Sequence, residues 1–376
     1  MLVFSLPFSF NALPVRDILT FAETEAVTDK VVKEFLINHL LLENNLLARL
    51  AAEGTVPGES LRTLVLADLE EVLSAATTPS LFDGYRPSIR RTLPFSEYRD
   101  SLVALVEAET ATALYDALLA HYRAYGVGDT AKYIAFKWQH GLCGILAPDT
   151  VTLDDLFCLE RQKNELVDNT LAFLQGRPAN NVLLYGNSGC GKSSTVKALL
   201  NSFYRDGLRL VQINREDLAE LPALLDTVRQ RPFRYILFMD DLSFEGDDDQ
   251  YKALKTVLEG GIERQPDNVL FYATSNRFHL VSETWSDRRG EDIHVKDTQN
   301  EKLSLAERFG IRISFLSPGQ NDYLRIIEGI LLQNGIPLTS ALRTEALQWA
   351  TLYHGRSGRT AAQFAKAIVA REVTQH

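Results

Sequence analysis

Residues 181–194 read NVLLYGNSGCGKSS. The apolar run from Val182 to Tyr185 is a short strand ending on Gly186, and the residues after Gly191 carry a helical pattern to about residue 204. Between them, Gly186-Asn187-Ser188-Gly189-Cys190-Gly191-Lys192-Ser193 satisfies the spacing G-x-x-x-x-G-K-[ST] in full. The glycines allow backbone conformations and a close approach that a Cβ forbids. Successive N–H groups can then face one point as an anion nest, helped by the positive end of the following helix. Lys192 suits the β- and γ-phosphates of a nucleoside triphosphate, and the Ser193 hydroxyl suits Mg²⁺. Ser194 completes the nucleotide-binding candidates. Cys190 reads as a small residue whose backbone matters, with a thiol that oxidation or alkylation could reach.

Outward from this loop the pattern repeats. Apolar strands at 208–213, 234–241, 268–276 and 311–316 alternate with helical stretches at 217–230, 248–264 and 301–309. Short apolar strands separated by helices predict an α/β fold, a parallel sheet covered on both faces. Asp240 and Asp241 follow the run Tyr235–Met239, at the carboxyl end of a strand beside the loop. There Asp240 suits Mg²⁺ through water, and Asp241 the polarisation of an attacking water. Glu245 is a rival base. Ser275 and Asn276 end the next strand, where a polar side chain can orient water beside the γ-phosphate. From about residue 320 the pattern is helical only.

Upstream, 152–176 (TLDDLFCLERQKNELVDNTLAFLQG) reads as one patterned helix stopped by Gly176. Residues 1–150 read as mostly helical, with apolar periodicity over 27–50, 61–75 and 101–125. No catalytic motif falls there, and Trp138, His140 and Cys143 read as packing residues rather than a metal pair. The expected domains are therefore 1–150, helical and suited to docking a partner; 151–319, the nucleotide-binding core; and 320–376, a helical lid.

Bulk properties narrow the function classes. Among 376 residues, 39 are Lys or Arg and 49 are Asp or Glu, for a net charge of −10. Residues 1–150 hold 12 of the basic and 19 of the acidic side chains, so no linear basic patch invites direct nucleic-acid binding. Three cysteines without a C-x-x-C pair exclude a disulfide framework and fit a reducing, cytoplasmic setting. No apolar run is long enough for a membrane span, and MLVFSLPFSF lacks the basic region and cleavage site of a secretory signal.

Taken in order, GNSGCGKS, ILFMDDL, YATSN, AERFG and GRSGRTAAQF resemble the Walker A, Walker B, sensor-one, Arg-Phe box and sensor-two segments of an AAA+ ATPase. More narrowly, NVLLYGNSGCGKSSTVKALL, ILFMDDLSFE, LEGGIERQPDNVLFYATSNRFHLV and EKLSLAERFG resemble a bacterial AAA+ family known as domain of unknown function 815. This resemblance spans about residues 152–370. It implies a P-loop NTPase of AAA+ type: five parallel strands in the order 5-1-4-3-2, a C-terminal helical lid, and ATP with Mg²⁺ bound between core and lid. It implies a homo-oligomer, a hexamer for the class, in which a neighbouring subunit completes hydrolysis to drive or switch a protein partner. Asn276 corresponds to sensor one, Arg308 to the arginine finger, and Arg359 to sensor two with Arg356 as a rival. Asp241 departs from the pattern, because AAA+ enzymes usually have Glu there; one methylene less of reach points to slow turnover.

Two other classes share parts of the pattern. A small-molecule P-loop kinase needs an arginine-bearing lid and an acceptor site, and GRSGR superficially fits such a lid. A helicase or clamp loader shares the AAA+ core. Arg288 and Arg289, within 282–302, read as a charged surface loop with a possible contact role.

Overall fold

The computed structural model describes residues 4, 14–43, 45–52, 55–77, 82, 85, 96–229, 231–242, 254, 258, 265–276, 307–353 and 355–373. The chain forms two compact units, Met1–Ile134 with Cys143–Ala147 and Ala135–Leu142 with Pro148–His376. None of the described helices is long and apolar enough to cross a membrane.

The first unit is helical. Its described helices are α1 (Val15–Thr24), α2 (Val31–Leu42), α3 (Leu46–Ala52), α4 (Glu59–Thr77), α5 (Ser96–Glu107) and α6 (Ala111–Tyr125). The periodic stretch 27–50 divides because Asn45 is a better cap than helix interior. Its Oδ1 accepts from Ala48 N at 2.9 Å, and its Nδ2 donates to Tyr122 Oη at 3.2 Å. Likewise Thr110 divides 101–125 by accepting from Ala113 N at 3.2 Å at the start of α6. Leu40, Leu47, Leu69, Leu105, Leu114 and Leu118 form one fully buried cluster, and Ile18, Phe21, Phe35 and Leu36 belong to a second.

The sheet has seven strands, all of them in the second unit except for Cys143 and Gly144 of β2: β1 (Ala135–Trp138), β2 (Leu142–Gly144), β3 (Val182–Gly186), β4 (Leu208–Gln212), β5 (Arg234–Met239), β6 (Val269–Ser275) and β7 (Ile311–Phe315). Their order is β2-β1-β4-β5-β6-β3-β7. Numbered along the chain from β3, the five strands marked in the sequence stand in the order 5-1-4-3-2, and neighbours among them run parallel. Every residue of β6 is buried, as the middle of a sheet covered on both faces requires. Helices α7 (Glu160–Leu174), α8 (Lys192–Phe203) and α9 (Leu221–Arg229) belong to this unit.

Two further features differ from the sequence reading. β1 lies in the stretch read as helical. With only four residues it has little local signal, and its parallel pairing with β4, Ala135 opposite Leu210, makes it a strand. The stretch 152–176 is not one helix. A capping box between Thr152 and Asp155 closes a short 3₁₀ turn over Leu153–Asp155, and Lys163 Nζ takes the carbonyls of Leu153 and Leu156 at 3.0 and 2.8 Å. Cys158 then turns left-handed, at φ 61°, before α7 starts. The apolar periodicity runs through this break and hides it.

The C-terminal helices α10 (Gln320–Gln333), α11 (Ser340–Leu352) and α12 (Gly358–Val373) bury Tyr323, Ile327, Leu331, Ala346 and Phe364 between them as a separate small core. Sheet order, phosphate loop and helical lid together make this unit a P-loop NTPase of AAA+ type.

Candidate nucleotide-binding site

A cleft at the carboxyl ends of β3, β5 and β6 gathers the phosphate loop, both strand-end aspartates, Asn276 and the start of α12. Parallel strands bring this about by ending on the same edge of the sheet. Gly186, at φ 132°, closes β3 so tightly that a Cβ would stand 2.1 Å from the Phe315 carbonyl oxygen. Gly191, at φ 93°, leads directly into α8. A backbone concavity opening on a helix N-terminus fits a phosphate chain.

Lys192 is the first residue of α8 and is 6% exposed. Its Nζ donates to the carbonyls of Gly186 and Asn187 at 2.9 and 2.7 Å and to Asn276 Oδ1 at 2.8 Å. Burial lowers its pKa from the ordinary value, against the attraction of Asp241 and Asp240. The Asn276 amide has a second contact: its Nδ2 donates to Asp241 Oδ1 at 2.8 Å. One side chain thus bridges the loop lysine and the second aspartate. Asp241 has a left-handed backbone, φ 56°, which Asp tolerates better than most residues with a Cβ.

The hydroxyl of Ser193 donates to Asp240 Oδ1 at 2.6 Å. These are hard oxygen donors within one cation's reach, the type from which Mg²⁺ takes one or two protein ligands while keeping waters and phosphate oxygens. Among the described residues no cluster of three or more His, Cys, Asp or Glu could hold a metal without such outside ligands.

Strand alternation corrects the reading of Ser275. Successive side chains along a strand face opposite ways, so Thr274 and Asn276 line the cleft while Ser275, between them, lies outside its lining. Thr274 passed unmarked because a β-branched residue in a strand is unremarkable. The broken helix adds further missed residues: Leu156, Phe157, Cys158 and Leu159 line the cleft. Leu159 Cδ1 would stand 2.9 Å from a Cβ on Gly191, and Phe157 packs on Gly329 of α10, so this segment touches both phosphate loop and lid.

Arg359, near the start of α12, lines the cleft, and its N–H donates to the Gly189 carbonyl at 3.0 Å. Arg356 is exposed and outside the cleft lining, as is Arg308. Ser188, Gly189, Cys190 and Ser194 line the cleft, whereas Asn187 contributes its carbonyl to Lys192. Burial pushes the Cys190 thiol pKa up, which disfavours the reactive thiolate. Glu245, Arg288 and Arg289 lie outside the described residues.

Comparison with known proteins gives three results. No curated protein matches the chain. Among solved structures, a RuvB variant from Thermotoga maritima is 19% identical over 57% of this chain and 63% of its own, with a TM-score of 0.39. The Aeropyrum pernix ORC1 protein in complex with DNA is 15% identical over 61% of this chain and 63% of its own, with a TM-score of 0.42. The matched region therefore spans less than two thirds of either relative. The family profile described as "Protein of unknown function (DUF815)" matches residues 131–372, well over half the sequence, and the chain belongs to that family.

Proposed function

We propose that the protein is an ATPase that binds Mg-ATP in this cleft and hydrolyses it slowly, as a homo-oligomer that drives or switches a protein partner. The observation that carries the reading is the polar chain Lys192–Asn276–Asp241 laid beside Ser193–Asp240. In this reading the loop N–H groups and Lys192 bind the β- and γ-phosphates, and Ser193 and Asp240 hold Mg²⁺. The cation supplies charge neutralisation on the phosphates. Asp241 accepts a proton from, or orients, the attacking water, and Asn276 keeps water and carboxylate aligned. Arg359 faces the phosphates from the lid. The exposed position of Arg308, away from its own chain's cleft, supports a role across a subunit boundary, where its guanidinium would stabilise transition-state charge. Residues 1–150 dock the partner, and the setting is the cytoplasm.

The test is Mg²⁺-dependent phosphate release from ATP over a range of protein concentrations, for wild type and Lys192→Ala. Release by wild type alone, with specific activity rising with concentration, supports the shared-site reading. ATP binding without release at any concentration replaces it with a nucleotide-dependent switch. ADP formation only with an added small-molecule acceptor, with the γ-phosphoryl group on the acceptor and none free as phosphate, makes the protein a kinase.

A further inference from the structure

We infer that Thr274 is a positioning residue that sets both strand-end carboxylates at once; this rests on the Mg-ATP reading. Thr274 is 1% exposed on β6. Its Oγ1 donates to Asp240 Oδ1 at 2.6 Å and accepts from Asp241 N at 2.8 Å. Its own carbonyl accepts from Leu242 N at 2.6 Å. One residue therefore grips the three residues that follow β5.

The hydroxyl has a single proton, and spending it on Asp240 leaves a lone pair for the Asp241 N–H, so the two bonds support each other. Asp240 Oδ1 receives two hydroxyls, from Thr274 and Ser193, while among the described residues its Oδ2 receives no donor. Two short charge-assisted bonds on one oxygen fix the carboxylate and leave the other oxygen for a cation's water shell. The bond to Asp241 N–H helps hold the left-handed backbone that turns Asp241 toward Asn276. Valine has the shape of threonine without the hydroxyl, so Thr274→Val removes one of the two donors on Asp240 and orphans the Asp241 N–H. No residue of the loop that grips phosphate is touched.

The experiment titrates a fluorescent ATP analogue into the full chain with Mg²⁺ and with EDTA, for wild type, Thr274→Val and Thr274→Ser. With EDTA the three are expected to agree within about twofold, because Lys192 and the loop are intact. The Mg²⁺-dependent gain in affinity should fall about tenfold in Thr274→Val, the weight of one hydrogen bond to a charged group, and return in Thr274→Ser. If Thr274→Val does not fold, Thr274→Cys carries the same test through its weak donor, and its gain should fall in the same direction. A full wild-type gain in the variant without the hydroxyl, or a serine variant as defective as valine, overturns the proposal and leaves the Mg-ATP reading standing. No binding of the analogue to wild type overturns both.

Discussion

The two units of this chain use polar groups to different ends. In the helical unit Glu34, Tyr122 and His121 are closed in by neighbours from their own unit. Glu34 accepts from Val27 N and Thr28 N at 2.8 Å each, and Tyr122 donates to the Leu40 carbonyl. His121 is wholly buried between Tyr98, Tyr122 and Tyr125, bonded through Nδ1 to Ser101. In the α/β unit, the buried Lys192 and the exposed Asp240, Asp241 and Asn276 turn toward one cleft. The difference teaches that burial of a polar group says little about function until the direction it faces is known. Variants in the first unit should change stability and spare turnover; variants in the second should do the reverse.

The sharpest test of that division is Arg308→Ala. Its phosphate release should fall about 10³-fold with ATP affinity and melting temperature unchanged, the size associated with an arginine finger. Turnover at the wild-type rate would remove the trans-acting role. Next, Asn276→Ala should cut phosphate release about 10²-fold, as loss of one preorganised donor does. If it instead lowers the melting temperature by several degrees at full activity, Asn276 belongs with the structural polar groups.

His121 tests the other unit through pH. Burial lowers its pKa from the ordinary 6.5 to about 3, so the folded state keeps it neutral while the unfolded chain takes up a proton. Its contribution to stability is whole above pH 6.5 and shrinks as pH falls toward 3. Between pH 6.5 and 5 the loss is about 2 kcal/mol. Denaturant unfolding of wild type should show this extra acid sensitivity, and His121→Gln should lack it. Equal pH slopes for the two would mean that the imidazole is not held neutral. Smallest of all, Cys190→Ala should alter stability by less than about 1 kcal/mol and turnover by less than twofold, since its buried thiol makes only weak contacts with Ser188 O and Ser317 Oγ. Loss of activity on this change would give the thiol a part that its geometry does not supply.

Much of the α/β unit was legible because its signals are local. Gly186–Ser193 carries its own spacing, and five apolar runs with intervening helices fix which residues end at which edge. What escaped depends on partners distant in sequence. β1 needs β4 opposite it, and Thr274 acquires meaning only through Asp240 and Asp241 on the neighbouring strand. The break at 156–159 escaped for another reason: a lysine one turn into α7 satisfies the turn's carbonyls, which no periodicity reveals. Ser275 was named beside Asn276 because a strand end was located without the phase of its alternation. In the helical unit, the apolar stretches were visible, but the caps that divide them, Asn45 and Thr110, were read as helix interior.

The position of β1 bears on how this protein can be cut. Ala135–Trp138 covers the outer side of β4, and the Trp138 indole and His140 ring both bond to Glu220. A fragment started at Val151 would contain the phosphate loop, Asp240, Asp241, Asn276 and Arg359 yet strip β4 of its neighbour, baring backbone donors and acceptors along Leu210–Gln212. Such an exposed row is a template for pairing with another copy, so that fragment should self-associate along β4. One started near residue 131, where the family match also begins, keeps the edge covered.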